Sequence, residues 1–353
     1  MALREATEQE AGAPWQRPLD GTLDSLVVES ELLAGNPLGD PVHRPLYVYR
    51  SPGVELDHPK PLPAVYFIQG FTGQLDMLHN RDALEPTVIE RIDAMFAGGD
   101  CPAAIVVFVD CWTSYGGSQF LNSTGTGRYQ DYLCDEVVPF IDGRYPTAAD
   151  RDRRGLTGKS SGGYGAMVVP MMRPDVFGAL ASHAGDALFE VCYEPGFRDT
   201  ARTLRDDFDG SLEVFFERLA AADHFDFDRF GPPFEDYGYA ACYTPDPERP
   251  GKALLPYEIE TGRLIDEIWS RWLEFDPVRM APRSADALRS MRRVYIDAGK
   301  SDEYFLDLGA QAFAGELTKL GVEHTLELFD GKHGGITWRY PLAVRELVLA
   351  LSD

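Results

Sequence analysis

One run constrains this chain more than any other: Gly158-Lys159-Ser160-Ser161-Gly162-Gly163-Tyr164-Gly165-Ala166. A short apolar approach, Gly155-Leu156-Thr157, precedes it, and Met167-Val168-Val169 follows. The pattern predicts a strand, a sharp turn and a helix, with Ser160 at the turn. Glycines two before and two after the serine suit that geometry, because side chains there would collide and the serine itself must take a strained conformation. A hydroxyl held this way projects from the end of the strand.

Around this run, strand-sized apolar segments alternate with helical patterns. Strands are predicted at Leu46–Tyr49, Ala64–Ile68, Ala104–Val109, Gly155–Thr157, Ala179–His183, Val294–Asp297 and Thr325–Phe329. Several are continuously apolar, as parallel strands buried on both faces must be. Helices are predicted at Tyr129–Ile141, Ser161–Met172, Tyr304–Leu320 and Pro341–Leu351, with a kink or early stop at Pro170. This alternation predicts an α/β fold with a mostly parallel central sheet flanked by helices, and a helical insertion after the sixth strand. The insertion spans about 190–285, where Leu212, Phe215, Phe216 and Leu219, and later Ile265, Ile268, Trp269, Trp272 and Leu273, recur at helical spacing. A Pro- and Asp-rich stretch from Asp223 to Pro250 is expected to separate the two groups. Residues 1–22 read as a loose tail and 23–353 as one domain carrying the insertion.

Charge narrows the partners. With 57 acidic against 33 basic residues and a net charge of −24, nucleic acid is not an expected partner, because phosphate binding needs concentrated Lys and Arg. No apolar run is long enough to span a membrane; Ala103–Val109 is only strand-sized. The first eight residues are polar and acidic, so a cytoplasmic location is expected, or secretion if a leader has been removed. Five widely spaced cysteines without a Cys-x-x-Cys pair suggest neither a disulfide framework nor a zinc site. No cofactor or metal is expected, and oligomeric state is not legible.

A serine hydroxyl is a weak nucleophile at neutral pH, so Ser160 needs a general base and a group to orient that base. Of seven histidines, His333 follows the last predicted strand and is flanked by glycines, on a loop able to reach Ser160. It is also the last histidine in the chain, matching the order serine, acid, histidine of hydrolases whose serine sits on such a strand-to-helix turn. His183 ends a strand but comes only about 20 residues after Ser160, and His324 sits at the far end of the last strand. For the acid, Asp302 lies on a loop after the strand ending near Asp297, though it could instead cap the following helix. Asp186, after the strand containing His183, is the competitor, while Glu303 is read as opening the helix. An oxyanion needs two backbone N–H donors. Ser161 supplies one; the loop Gln69-Gly70-Phe71-Thr72-Gly73 offers the second, at Phe71, unless that loop is a plain glycine-rich turn. Trp112, Tyr115, Phe120 and Trp338 flank these loops as candidate substrate contacts or as ordinary loop packing.

With these residues assembled, the chain resembles the α/β-hydrolase esterase branch that includes enterochelin esterases, esterase D-type S-formylglutathione hydrolases, feruloyl and acetyl xylan esterases and antigen 85 mycolyltransferases. The resemblance rests on the Gly-x-Ser-x-Gly-Gly-x-Gly-Ala pattern at 158–166, Gly70, Asn122-Ser123 through Tyr129 into Glu136–Asp142, Asp297-Ala298-Gly299 with Asp302-Glu303, and His333-Gly334. It spans roughly 22–350. It implies Ser160 as nucleophile, His333 as base, Asp302 as acid, and Phe71 and Ser161 as oxyanion donors. Many relatives carry histidine where this chain has Gln69 and Lys159, and the insertion is not shared by the whole branch. The expected activity is a serine esterase acting on a small-molecule or saccharide ester. An acyltransferase using the same residues with a sugar or alcohol acceptor is the alternative, and a non-catalytic binding protein the remote one.

Overall fold

A computed structural model describes residues 17–82 and 84–352. Eight strands form one sheet: β1 (Thr22–Glu29), β2 (His43–Arg50), β3 (Ala64–Ile68), β4 (Ile105–Val109), β5 (Arg154–Lys159), β6 (Ala179–His183), β7 (Arg293–Gly299) and β8 (Thr325–Phe329). Their order is β1-β2-β4-β3-β5-β6-β7-β8. β2 runs antiparallel to both neighbours, and from β4 to β8 every pairing is parallel.

The central strands are continuously apolar because each face meets a different core. Tyr66 and Ile68 of β3 join Val107 and Val109 of β4 on one side, while Val65, Phe67, Val106 and Phe108 point to the other. Each such side chain contributes about 1.5–3 kcal/mol on full burial. α1 (Val88–Ala97) and α8 (Tyr340–Ser352) cover the second face, through Ile89, Ile92, Val344 and Leu347 among others. α2 (Ser161–Met172) packs on β5 and β6 on the first face. There α7 (Leu306–Leu320) inserts Leu306, Ala310, Phe313 and Leu317.

Between β6 and β7 the insertion folds as helices, chiefly α3 (Phe197–Asp207), α4 (Leu212–Ala220), α5 (Phe227–Tyr243) and α6 (Asp266–Leu273). Its core is aromatic: Trp272 meets Tyr193 at 5.8 Å, Phe197 at 5.6 Å and Tyr243 at 5.1 Å between ring centroids. Such pairs add to the area they bury.

Several sequence expectations need correction. β1 falls outside the predicted strands, because it is an edge strand with polar residues alternating along it and only Val28 buried. The Asp223–Pro250 stretch is not a separator: it holds α5, the longest helix of the insertion, despite Pro232 and Pro233. Interior prolines cost a helix hydrogen bonds and strain, but here Phe230, Pro233, Tyr237 and Tyr239 to Tyr243 are buried and packing outweighs that cost. α2 runs two residues past Pro170 before ending. Of the expected tail, 1–16 lie outside the described residues, and the backbone N–H groups of Asp20 and Gly21 donate to the Asp93 carboxylate.

Candidate active site

Ser160 sits where β5 turns into α2, at φ 61° and ψ −128°. That left-handed conformation is strained for a residue with a side chain, and it persists only where the surroundings enforce it. Here they do. A Cβ on Gly158 would stand 2.5 Å from the Ile68 carbonyl oxygen, and one on Gly162 would stand 2.4 Å from the same atom. A Cβ on Gly163 would likewise stand 2.7 Å from the His183 carbonyl oxygen. The Ser160 N–H donates to that carbonyl at 2.9 Å, tying the turn to β6.

Two later loops reach the same point. Asp302 follows β7 and His333 follows β8, and the loops are laced together where Lys300 N–H donates to Phe329 O and Ser301 N–H to Gly331 O, both at 2.9 Å. His333 Nδ1 lies 2.9 Å from Asp302 Oδ2, and its Nε2 lies 3.1 Å from Ser160 Oγ. Asp302 is 4% exposed and His333 9%. Asp302 Oδ1 also accepts the Tyr304 N–H at 2.9 Å. α7 begins only at Leu306, so Asp302 is not its cap.

Glu303, expected to open that helix, lies before it, and its carboxylate accepts the His333 backbone N–H at 2.9 Å. That bond, with Lys332 nearby, holds the Glu303 carboxyl below its usual range. Tyr304 stands edge-on to the His333 ring at 4.8 Å. The next residue, Phe305, is half exposed yet takes φ 60°. Thr72, Gln119, Phe120 and Ala184 share left-handed φ values between 43° and 59°. Strain of this kind gathers at functional loops.

The Gly70–Phe71 loop abuts the turn. A Cβ on Gly70 would stand 3.2 Å from the Ser160 Cβ and 2.9 Å from the Lys159 carbonyl oxygen. Among the described residues no acceptor takes the Phe71 N–H. The Phe71 ring is wedged between Gly116 and Gly238 and meets the rings of Phe234 (5.9 Å) and Tyr239 (5.1 Å) of α5. The insertion thereby clamps this loop. Beside Ser161 is a small recess whose walls include Gln69, Phe71, Trp112, Gln119 and Phe120. Trp112 and Phe120 thus reach the recess, whereas Tyr115 and Trp338 are held elsewhere. Tyr115 packs on Phe216 and Tyr237 and donates its hydroxyl to Gly251 O, and Trp338 stands on Phe329 and Arg339.

Asp186 does not bond His333. It lies behind Ser161 and accepts from Ser161 Oγ (3.1 Å), Tyr193 Oη (2.7 Å) and Gln119 Nε2 (3.4 Å). Burial pushes its carboxyl up, only partly offset by the Tyr193 bond. Lys159 is pulled the other way: burial lowers its ammonium, against the attraction of Asp302, Asp186 and Glu303. A second His–Asp pair, His183 Nδ1 to Asp297 Oδ1 at 2.7 Å, is wholly buried behind the turn and has no serine on it. Burial would raise Asp297, but His183 and Arg339 together hold it below the usual carboxylate range.

Two carboxyls of α5 titrate unusually. Burial pushes Glu235 and Asp236 each up to about 7, against bonds from the Tyr239 and Tyr257 hydroxyls, both 2.8 Å. Unfolded, both titrate near 4. Between about pH 4 and 7 the fold therefore binds more protons than the unfolded chain, so stability falls as pH rises through that window. The melting temperature is expected to drop between about pH 5 and 8, and Asp236→Asn to flatten the drop. A melting temperature that climbs over that range would refute the assignment.

Among the described residues no cluster of His, Cys, Asp and Glu is placed to hold a metal ion, and no helix is long and apolar enough to cross a membrane. All five cysteines are free thiols.

A mostly parallel sheet with the serine turn after β5, and acid and histidine loops after β7 and β8, defines an α/β-hydrolase. The family model described as "Putative esterase" matches residues 47–347, so the chain belongs to that esterase family. The chain is accordingly an enzyme of the esterase, serine-hydrolase class. A search of curated protein sequences finds no match. Among solved structures, the chain is similar to a ferulic acid esterase (16% identity, TM-score 0.58, covering 95% of this chain and 100% of that one). It is also similar to an S-formylglutathione hydrolase from Agrobacterium tumefaciens (16%, 0.56, 95% and 98%). A third is the fluorophosphonate-binding serine hydrolase F of Staphylococcus aureus (17%, 0.56, 94% and 99%). At these identities the likeness is one of fold.

Proposed function

We propose that the protein is a serine esterase that cleaves a small-molecule or saccharide carboxylic ester through an acyl-enzyme on Ser160. The observation that carries this reading is the continuous pair of contacts from Asp302 Oδ2 to His333 Nδ1 (2.9 Å) and from His333 Nε2 to Ser160 Oγ (3.1 Å). Asp302 accepts a hydrogen bond from Nδ1–H, fixing the tautomer that leaves Nε2 free to take the hydroxyl proton as Ser160 Oγ attacks the ester carbonyl. The oxyanion that forms is received by the N–H groups of Ser161, at the start of α2, and Phe71, in the loop clamped by α5. His333 then returns the proton to the departing alcohol. Water, activated by the same nitrogen, attacks the acyl carbon and releases the acid and Ser160.

The neighbouring folds carry ferulic acid and S-formylglutathione in their names, an ester acyl group and a thioester, so they do not agree on one substrate. Rapid mixing with p-nitrophenyl acetate tests the covalent step. The expected trace is a burst close to one p-nitrophenolate per chain followed by slower turnover. Steady release without a burst, together with no acetylated protein after acid quench, would contradict the acyl-enzyme. An added alcohol that intercepts the intermediate and yields a new ester would mark acyl transfer.

A further inference from the structure

α5 lies over the serine turn by one of its faces. Phe234 and Gly238, and Glu235 and Tyr239, are pairs four residues apart and so neighbours on the helix surface. Gly238 lets the helix approach: a Cβ there would stand 2.4 Å from the Tyr115 carbonyl oxygen and 2.9 Å from the Phe71 ring. The Phe234 and Tyr239 rings meet that same Phe71 ring. Glu235, between them, is carried to the same side.

Its Oε1 accepts the Tyr239 hydroxyl at 2.8 Å. That hydroxyl also faces the Ser161 hydroxyl, which donates to Asp186. Across the site, the charge of Glu235 is felt by Tyr304, whose ring stands against His333. Glu235 therefore lies between the oxyanion-loop wall and the His333 wall. It is half-buried, and among the described residues no Lys or Arg pairs with it and no donor reaches its Oε2.

A half-buried, unpaired carboxyl is costly to keep where it serves only packing, since glutamine would accept the Tyr239 bond equally well without a charge to desolvate. We propose that Glu235 is a specificity-determining residue of the ester site, whose open carboxyl oxygen receives a hydroxyl or ammonium group of the substrate and turns away substrates bearing a carboxylate or phosphate there. This rests on Ser160 as the nucleophile. The groups acting on or felt with Glu235 are Tyr239 on its own helix, Asp186 behind Ser161 and Tyr304 beside His333; Asp302 and Glu303 also act on Tyr304, and Lys159 is attracted by Asp186, Asp302 and Glu303. Burial pushes the carboxyl up to about 7, so the discrimination strengthens as it ionises on going from pH 6 to pH 8.

The test uses esters matched in size and differing in charge: 4-nitrophenyl phenylacetates with a 4-aminomethyl, 4-methyl or 4-carboxy group, and benzyl acetates with the same three groups. The two panels place the charge on the acyl and the alcohol side. On at least one side the wild type is expected at pH 8 to favour the aminomethyl over the carboxy ester by about tenfold or more in kcat/KM, mainly through KM. In Glu235→Gln that ratio falls toward one and loses its pH dependence. In Tyr239→Phe, which removes the donor that favours ionisation, the pH at which the preference sets in moves upward. A ratio in Glu235→Gln that matches the wild type on both panels overturns the proposal and leaves Ser160 untouched. A wild type inactive on the methyl esters of both panels overturns the Ser160 reading and this one together.

Discussion

Ser160→Ala lowers kcat for p-nitrophenyl acetate by about 10⁵-fold or more while the fold and its melting temperature stay close to wild type. The size follows from what alanine removes. The hydroxyl is the atom that forms the covalent bond, and its neighbour His333 then has nothing to deprotonate except water. What survives is binding and oxyanion stabilisation, the residual rate seen when such constellations lose a member. Stability is spared because Ser160 Oγ carries no structural bond beyond the one to His333 Nε2. Alanine also keeps the left-handed φ that the glycines around it impose, at a strain similar to that of serine. Loss measured as kcat with p-nitrophenyl acetate, beside a thermal melt, separates this from misfolding; an activity within tenfold of wild type would remove Ser160 from the chemistry.

Asp302→Asn is the second large effect, about 10⁴-fold in kcat at neutral pH. An asparagine keeps the shape of the loop and can still accept the Tyr304 N–H, but it can turn an NH₂ toward His333 Nδ1 and favour the wrong tautomer. Asp186 gives the internal comparison. It is as buried as Asp302 and was its competitor from sequence alone, yet its contacts are Ser161, Tyr193 and Gln119. Asp186→Asn should therefore cost at least a hundredfold less than Asp302→Asn. Measuring kcat for both variants decides between them, and the reverse ranking would reassign the acid.

How much was legible in the sequence depended on whether a residue's surroundings were local. Ala64–Ile68, Ala179–His183 and Thr325–Phe329 read correctly to the residue: the first is apolar throughout because it is buried on both faces, the second is likewise wholly buried, and the third, at the far edge of the sheet, was marked instead by Leu326, Leu328 and Phe329. β1 did not, because an edge strand owes its pairing to β2 and leaves few apolar marks. α5 was hidden by Pro232 and Pro233; only the tertiary burial of its second half shows why a helix forms there. In the site, glycine spacing pointed to the turn at Ser160, and chain order pointed to the loops of Asp302 and His333, which the fold brings within hydrogen-bond distance. Glu303 and Glu235 gave no such signal. One is defined by a backbone N–H thirty residues away in sequence, the other by a helix face laid across the site. A glutamate i,i+4 from a tyrosine was visible, but such pairs are common on helices that touch nothing.

The central claim is that one hydroxyl, that of Ser160, becomes covalently acylated. Diethyl p-nitrophenyl phosphate probes it directly, since attack by the activated serine expels p-nitrophenolate and leaves a diethylphosphoryl group on Oγ whose hydrolysis is too slow for the adduct to escape detection. Mass spectrometry of the digested protein is predicted to find one adduct per chain, on Ser160 in the Gly158 to Ala166 segment, with loss of esterase activity in step with labelling. Activity that persists in fully labelled protein, or an adduct on another residue such as Ser161 with Ser160 unmodified, would contradict it.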